Sequence, residues 1–382
     1  QRGDQTPVCA VLMSIRGNDP FLAESLRSLA TQDYPQASIH LVVDGNFEDV
    51  ERLVNSWKST ETLRHPIIVE PLKSPLATCG LKCSALLQAL EKVPETTEVI
   101  ALIDADVVPR ATWLRELVAP FVDEQIGAVT GGQWFEPAWN HKPGSWIRSL
   151  WNAGSLVPTS VFAHPWAGSF AIRRRDFESA KLQQLWQTTI VDDGPIARAM
   201  HQIGSKIAFE PRLISVNRED CGIAYSAHYI GRMLTWSRWY ERAFINTVIH
   251  AVILTTVWGL VLVSLTSNVM DGARHWVALL SGAVVVGCWM NAAAYDWLRR
   301  AIVRLHRDRF STPPRLSLLR QFWTTLQIPI TQFFFVLGVA RALTCRTVEW
   351  RRVRYRISGP TKVRILDWSD AKSIVPHGHD SV

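Results

Sequence analysis

From Ala243 to Met270 the chain carries no Asp, Glu, Lys or Arg, and a second uncharged stretch, His275–Tyr295, follows almost at once. At 1.5 Å per helical residue each is long enough to cross a hydrocarbon core of ~30 Å. One such run suits a buried helix of a soluble protein, but two in succession predict a membrane module. A third uncharged stretch, Gln321–Ala340, is interrupted by Gln327, Pro329 and Gln332. The segment 299–320 is rich in Arg, whereas Ser267–Arg274 is nearly balanced, so the positive-inside rule places that linker and the N-terminal half together in the cytoplasm. A third crossing would strand Arg346, Arg351, Arg352, Arg354 and Arg356 on the far side. The stretch 321–343 is therefore expected to be interfacial or re-entrant, with a true span left open. The predicted organisation is a soluble domain over 1–240, two transmembrane helices over 241–298, a basic cytoplasmic linker over 299–320, the third apolar helix over 321–343, and a basic tail over 344–382.

Composition narrows the class. Of 382 residues, 20% are charged and 47% hydrophobic, which excludes both a disordered chain and a uniformly apolar one. The 17 Trp suit membrane boundaries, where the ring is buried and its N–H stays wet. The net charge of +7 does not argue for nucleic acid, because Arg concentrates after residue 298 beside apolar runs and no zinc finger, RNA-recognition signature or basic reading helix is present. Of six Cys, only Cys79 and Cys83 are close, and no second pair stands at zinc spacing, so they read as reduced thiols. Gln1 is not an initiator Met, which leaves an upstream signal or anchor segment open. Oligomeric state is not readable.

The first ~130 residues alternate apolar strands with helical periodicity, the pattern of an α/β fold with a mostly parallel, Rossmann-like sheet. Strands are predicted at Val8–Met13, Ile39–Val43, Ile67–Val69, Val99–Ile103 and near Ala128–Gly131, with helices after Pro20, from Leu81 to Glu91 and from Ala111 to Phe121. Residues 133–240, rich in Trp, Gly and Pro, resist segmentation apart from a helix at Ile196–Ile203. Open parallel sheets bind ligands beyond the carboxyl ends of their strands, and Asp44, Asp104 and Asp106 all fall there.

Four features carry chemistry. Asp104-Ala105-Asp106 places two carboxylates where a hard cation can be held against a diphosphate, though the pair alone also suits a solvated acidic turn. Asp44, after the second strand, can accept hydrogen bonds from a base or ribose, or simply form an Asp-Gly turn. Asp192-Asp193 precedes a predicted helix and can supply a general base or an N-cap. Trp236-Ser237-Arg238-Trp239 stands just before the membrane runs, offering a phosphate partner and a stacking wall, or an interfacial belt.

In this order the four features resemble the membrane-bound family 2 glycosyltransferases of the GT-A fold, which carry a base-binding Asp, a D-x-D, a Glu/Asp-Asp pair and a (Q/R)-x-x-R-W motif. The resemblance covers about residues 7–240. It implies Asp193 as catalytic base, Asp44, Lys82 and Asp104 at the nucleotide sugar, and Asp104 and Asp106 at Mg²⁺ or Mn²⁺. It further implies Asp192, Gly168, Arg238 and Trp239 on the diphosphate and acceptor side. Lys82 follows the similar Gly80-Leu81 step, and Gly168 lies in a segment resembling the glycine-bearing stretch under the acceptor; both also read as ordinary surface or turn positions. The tail Trp350-Arg351-Arg352-Val353-Arg354-Tyr355 is similar to the W-R-x-x-x-Y of the ceramide glucosyltransferase branch and its hopanoid-associated bacterial relatives. That branch implies inverting transfer of one sugar from a UDP-sugar to a lipid hydroxyl. A processive polysaccharide synthase and a non-catalytic nucleotide-sugar-binding protein are the rivals. Thr235 departs from the family's Gln or Arg, and Asp192 from its commoner Glu.

Overall fold

The computed structural model describes residues 6–17, 19–60, 63–266, 271–306 and 315–368. The chain divides into two compact units. The first comprises Gln1–Gln133, Val157–Ser215 and Arg346–Val382, and the second Trp134–Leu156 and Val216–Cys345.

In chain order the elements are β1 (Cys9–Arg16), α1 (Leu22–Ala30), β2 (Ala37–Asp44), α2 (Phe47–Thr60), β3 (Ile67–Pro71), α3 (Leu81–Leu90), β4 (Val99–Ile103), α4 (Trp113–Val118) and β5 (Ile126–Thr130). They continue with β6 (Gln133–Phe135), α5 (Pro143–Val161), β7 (Ser169–Arg173), α6 (Arg174–Ser179), α7 (Leu182–Trp186), α8 (Ile196–Gln202), β8 (Lys206–Phe209) and β9 (Ser215–Asn217). Last come α9 (Ile223–Tyr240), α10 (Phe244–Thr266), α11 (Asp271–Leu305), α12 (Leu318–Thr344), β10 (Thr347–Trp350), β11 (Val353–Gly359) and β12 (Lys362–Trp368).

The main sheet of the first unit has the order β3-β2-β1-β4-β7-β5-β8. Pairs β1–β2, β1–β4, β2–β3 and β5–β8 are parallel, and β7 alone runs antiparallel between β4 and β5. Strand β1 is apolar from Cys9 to Met13 because both of its faces are covered there, as a central parallel strand requires. Its side chains divide by the period of two. Cys9, Val11, Met13 and Ile15 join a core with Leu22, Leu26 and Leu29 of α1, while Ala10 and Leu12 join one with Cys83 and Leu86 of α3 and Met200 of α8. Each fully buried Leu or Ile contributes about 1.5–3 kcal/mol. This is the GT-A arrangement: the strand order reverses between β1 and β4, and the crevice at their carboxyl ends is where such sheets take ligands.

Among the described residues of the second unit, three helices are long and apolar enough to cross a membrane: Phe244–Val263, His275–Leu305 and Leu318–Thr344. Apolar side chains such as Ile253, Leu260, Trp276, Trp289, Phe322 and Phe333 lie exposed along them. Helix α12 runs unbroken through Pro329 and buries Thr324, Ile328, Thr331, Gly338, Val339 and Ala342. Gly338 lets it approach α9 closely, since a Cβ there would sit 2.7 Å from the Leu234 side chain. The last turns of α11 carry an ion-paired cluster, with Arg299 3.1 Å from Asp296 and 3.2 Å from Glu136.

The basic tail holds a three-stranded antiparallel sheet, β10-β11-β12, within the first unit. Along β11, Val353, Tyr355 and Ile357 are buried while Arg354 and Arg356 face outward. Arg354 and Arg356 are thus the exposed face of an amphipathic strand.

Candidate active site

The cluster at the carboxyl end of the sheet begins with a glycine. Gly80 donates its N–H to the Thr189 carbonyl at 2.9 Å, and a Cβ at this position would overlap the Ile190 carbonyl. Only glycine allows the start of α3 to lie so close to the 189–193 segment. Lys82, in the first turn of α3, is thereby aimed between two acidic groups, with its Nζ 2.6 Å from Asp104 Oδ1 and 3.1 Å from Asp192 Oδ2. Asp104 follows β4 directly, so strand and helix together set this contact. Replacing Gly80 by Ala is expected to cost about 1–3 kcal/mol of stability and to lower turnover with it. The denaturation midpoint in detergent and kcat would be measured together, and an unchanged midpoint would refute the close-approach argument.

The acidic pair is held from behind. Trp186, fully buried, donates its indole N–H to the Asp192 carbonyl at 2.8 Å, and the backbone N–H of Ala167 donates to Asp193 Oδ2 at 3.3 Å. Gly168 follows, and a Cβ there would strike the Trp166 ring. Burial drives both Asp192 and Asp193 above the usual carboxylate range, opposed by the Lys82 charge and reinforced by neighbouring carboxylates. Burial alone would depress Lys82, but Asp104, Asp192 and Asp193 outweigh it and hold the ammonium charged well above its ordinary value. The arrangement is one cation shared among three carboxylates, two of which hold their protons more tightly than free aspartate does.

Asp44 ends β2 directly across from Arg16 in the β1–β2 register, and its carboxylate is ion-paired with the Arg16 guanidinium. It is buried at the same edge of the sheet. Asp106 lies two residues beyond Asp104 on the turn after β4. Among the described residues no group of three His, Cys, Asp or Glu side chains gathers as a metal site.

The first unit therefore brings Lys82 into contact with Asp104 and Asp192 and within electrostatic reach of Asp193, with Asp44, Asp106 and Gly168 on neighbouring turns. Arg238 and Trp239 belong to the second unit, at the end of α9. There Arg238 donates to the Ala342 carbonyl and lies 4.6 Å over the Trp239 ring. Thr235 turns its hydroxyl onto the Gly231 carbonyl of its own helix at 2.8 Å, so it supplies no outward contact in place of the expected Gln or Arg. Two supporting residues escape sequence reasoning. Trp186 carries no pattern beyond its own bulk, and Arg16 sits in a segment that reads only as a turn. The abrupt end of β1 opposite Asp44 is the signal that points to Arg16.

Among solved structures, the chain is similar to a mannosyltransferase from Pyrobaculum calidifontis in complex with GDP-Man and Mn²⁺. That match has 14% identity, covers 89% of this chain and 88% of that one, and has a TM-score of 0.49. It is also similar to glucosyl-3-phosphoglycerate synthase from Mycobacterium tuberculosis in complex with Mn²⁺ and UDP-glucose (15% identity, 60% and 79% covered, TM-score 0.39). A third likeness is to S. aureus TarS in complex with UDP-GlcNAc (11% identity, 95% and 100% covered, TM-score 0.39). No curated protein matches the chain. The model of glycosyl transferase family 21 matches residues 1–363, and the chain belongs to that family.

Proposed function

We propose that this glycosyltransferase moves a single sugar, with inversion, from a UDP-sugar to the hydroxyl of a lipid at a membrane, as in the ceramide glucosyltransferase branch. The observation that carries the reading is the Lys82–Asp104–Asp192–Asp193 cluster at the carboxyl end of the sheet. Asp44 accepts hydrogen bonds from the nucleoside, and Arg16 fixes the orientation of its carboxylate. Lys82 meets the diphosphate as a permanent cation. Asp193 takes the proton from the acceptor hydroxyl, and the burial that raises its proton affinity makes it a stronger base than a free aspartate. Gly168 lies on the acceptor side, where its lack of a side chain admits the Trp166 ring. Arg238 and Trp239, ahead of the apolar helices, meet the lipid head.

Asp104 and Asp106 fit a small hard cation. They offer only carboxylate oxygens, Lys82 engages one oxygen of Asp104, and two carboxylates leave positions for diphosphate oxygens and water, which suits Mg²⁺ or Mn²⁺. When bound there, such an ion neutralises charge on the departing nucleotide. The apolar helices embed the chain in the bilayer as an integral membrane protein, with the catalytic domain on the cytoplasmic side.

A transfer assay in nanodiscs with a panel of UDP-sugars and lipid acceptors, in Mg²⁺, Mn²⁺ or EDTA, tests this reading. The expected product is a glycolipid carrying one sugar, formed only with metal. A polymer ladder would make the enzyme a processive synthase. UDP binding without turnover would make it a binding protein.

A further inference from the structure

Hairpin β10–β11 turns through Arg351 and Arg352, with φ of 47° and 60°. Two-residue turns with both residues left-handed favour Asn-Gly, and arginine pays a steric penalty there, so these residues are not suited to the turn itself. Their contacts lie elsewhere. Arg351 and Arg16 exchange hydrogen bonds, each guanidinium donating to the other's backbone carbonyl at 2.9 Å. Arg16 also pairs with Asp44, and Arg351 lies 4.0 Å from the buried Asp19 carboxylate. Four residues on, the Tyr355 hydroxyl accepts the backbone N–H of Leu81 at 3.2 Å. Leu81 is the first residue of α3, and the next is Lys82. On β12, Ile365 donates its N–H to the Ala77 carbonyl at 3.0 Å, fastening the same sheet to the loop that leads into α3.

We infer that the hairpin tip from Arg351 to Tyr355 is a positioning element of the donor site. Arg351 holds Arg16, which sets the direction of Asp44. Tyr355 holds the first turn of α3, which carries Lys82 to Asp104 and Asp192. Neither Arg351 nor Tyr355 touches substrate; both act through the residues that do. The inference rests on the reading of Asp44 and Lys82 as binders of a UDP-sugar, and it assigns the C-terminal strands to donor recognition rather than to membrane attachment.

The test uses the full chain in nanodiscs, with UDP as the probe for calorimetry and the UDP-sugar for kinetics. Arg351→Asn combined with Arg352→Gly supplies the residues the turn prefers while removing the Arg351 donor, and Arg352→Gly alone is the reference. Tyr355→Phe removes only the hydroxyl. The double variant is expected to keep or raise the melting temperature, yet to raise UDP Kd and donor KM about tenfold over the reference, with kcat changed by less than about twofold. Tyr355→Phe is expected to lower kcat about tenfold in protein that stays folded at the assay temperature, the unpaired Leu81 N–H lowering the melting temperature by no more than about 2–4 °C. Variants with wild-type Kd, KM and kcat, or losses that track a larger fall in melting temperature, would overturn the inference. Wild-type protein that binds no UDP would overturn the donor reading itself.

Discussion

Asparagine at position 193 is expected to lower transfer by about 10²- to 10⁴-fold, the usual contribution of a positioned general base. The substitution keeps the shape of the side chain and leaves an oxygen for the Ala167 N–H, so the 189–193 segment should stay in place. What it removes is the capacity to accept a proton. UDP affinity should therefore change by less than about threefold while kcat collapses, a pattern that marks an interaction made only in the transition state. The measurement is kcat with saturating donor and lipid, beside calorimetric binding of UDP. Activity within about tenfold of wild type would move the base to Asp192 or to the acceptor's own surroundings.

The second large effect is expected at Lys82. Replacing it with Met removes the one cation from among Asp104, Asp192 and Asp193. Lys82 favours the ionised form of Asp192 and Asp193 against the burial that raises them, so without it both hold a proton to still higher pH. The acid limb of the kcat/KM profile should move to higher pH by about one unit or more. Activity at neutral pH should fall by about 10²-fold or more, since truncating one partner of a buried pair costs about 3–5 kcal/mol before protonation relieves it. The sign for stability follows the same logic. Carboxylates whose folded proton affinity is raised support the fold most fully below the ordinary Asp range and cease to do so as pH rises through their raised value. Lys82→Met should therefore lose most stability relative to wild type at alkaline pH. An acid limb that stays in place or moves down would show that Lys82 does not govern the pair.

The parallel sheet was legible in the sequence because a strand buried on both faces reads as an unbroken apolar run, as in Val99–Ile103, and the acidic residues at strand ends followed from it. The motifs resembled family 2 and the matching model is that of family 21, so what the comparison bears out is a glycosyltransferase. Segment 133–240 was opaque for a physical reason. Helix α9 carries its apolar and small residues all around, as in Gly231-Arg232-Met233-Leu234-Thr235, so no single stripe announces it. The tail was misleading in another way. Charge dominated the eye at Arg351, Arg352, Arg354 and Arg356, while the alternation of Val353, Tyr355 and Ile357 carried the strand. Contacts between distant segments, such as Arg16 with Arg351 or Leu81 with Tyr355, have no local pattern at all.

If the first unit lies on one side of a bilayer, as proposed above, the return of β10, β11 and β12 to it imposes a parity on the chain. A polypeptide that leaves a folded body on one side of a bilayer and later rejoins it must pass through an even number of times, whatever the hydropathy of its helices. Composition counts three candidate spans between Ser215 and Arg346, and closure of the path permits two. One helix must then lie along the surface or against protein. We propose that α12 is the one to yield, since 28% of its apolar window is covered by protein against 11% in each of the others. On that proposal, the strands after α12 set how many times the segment before them enters the lipid.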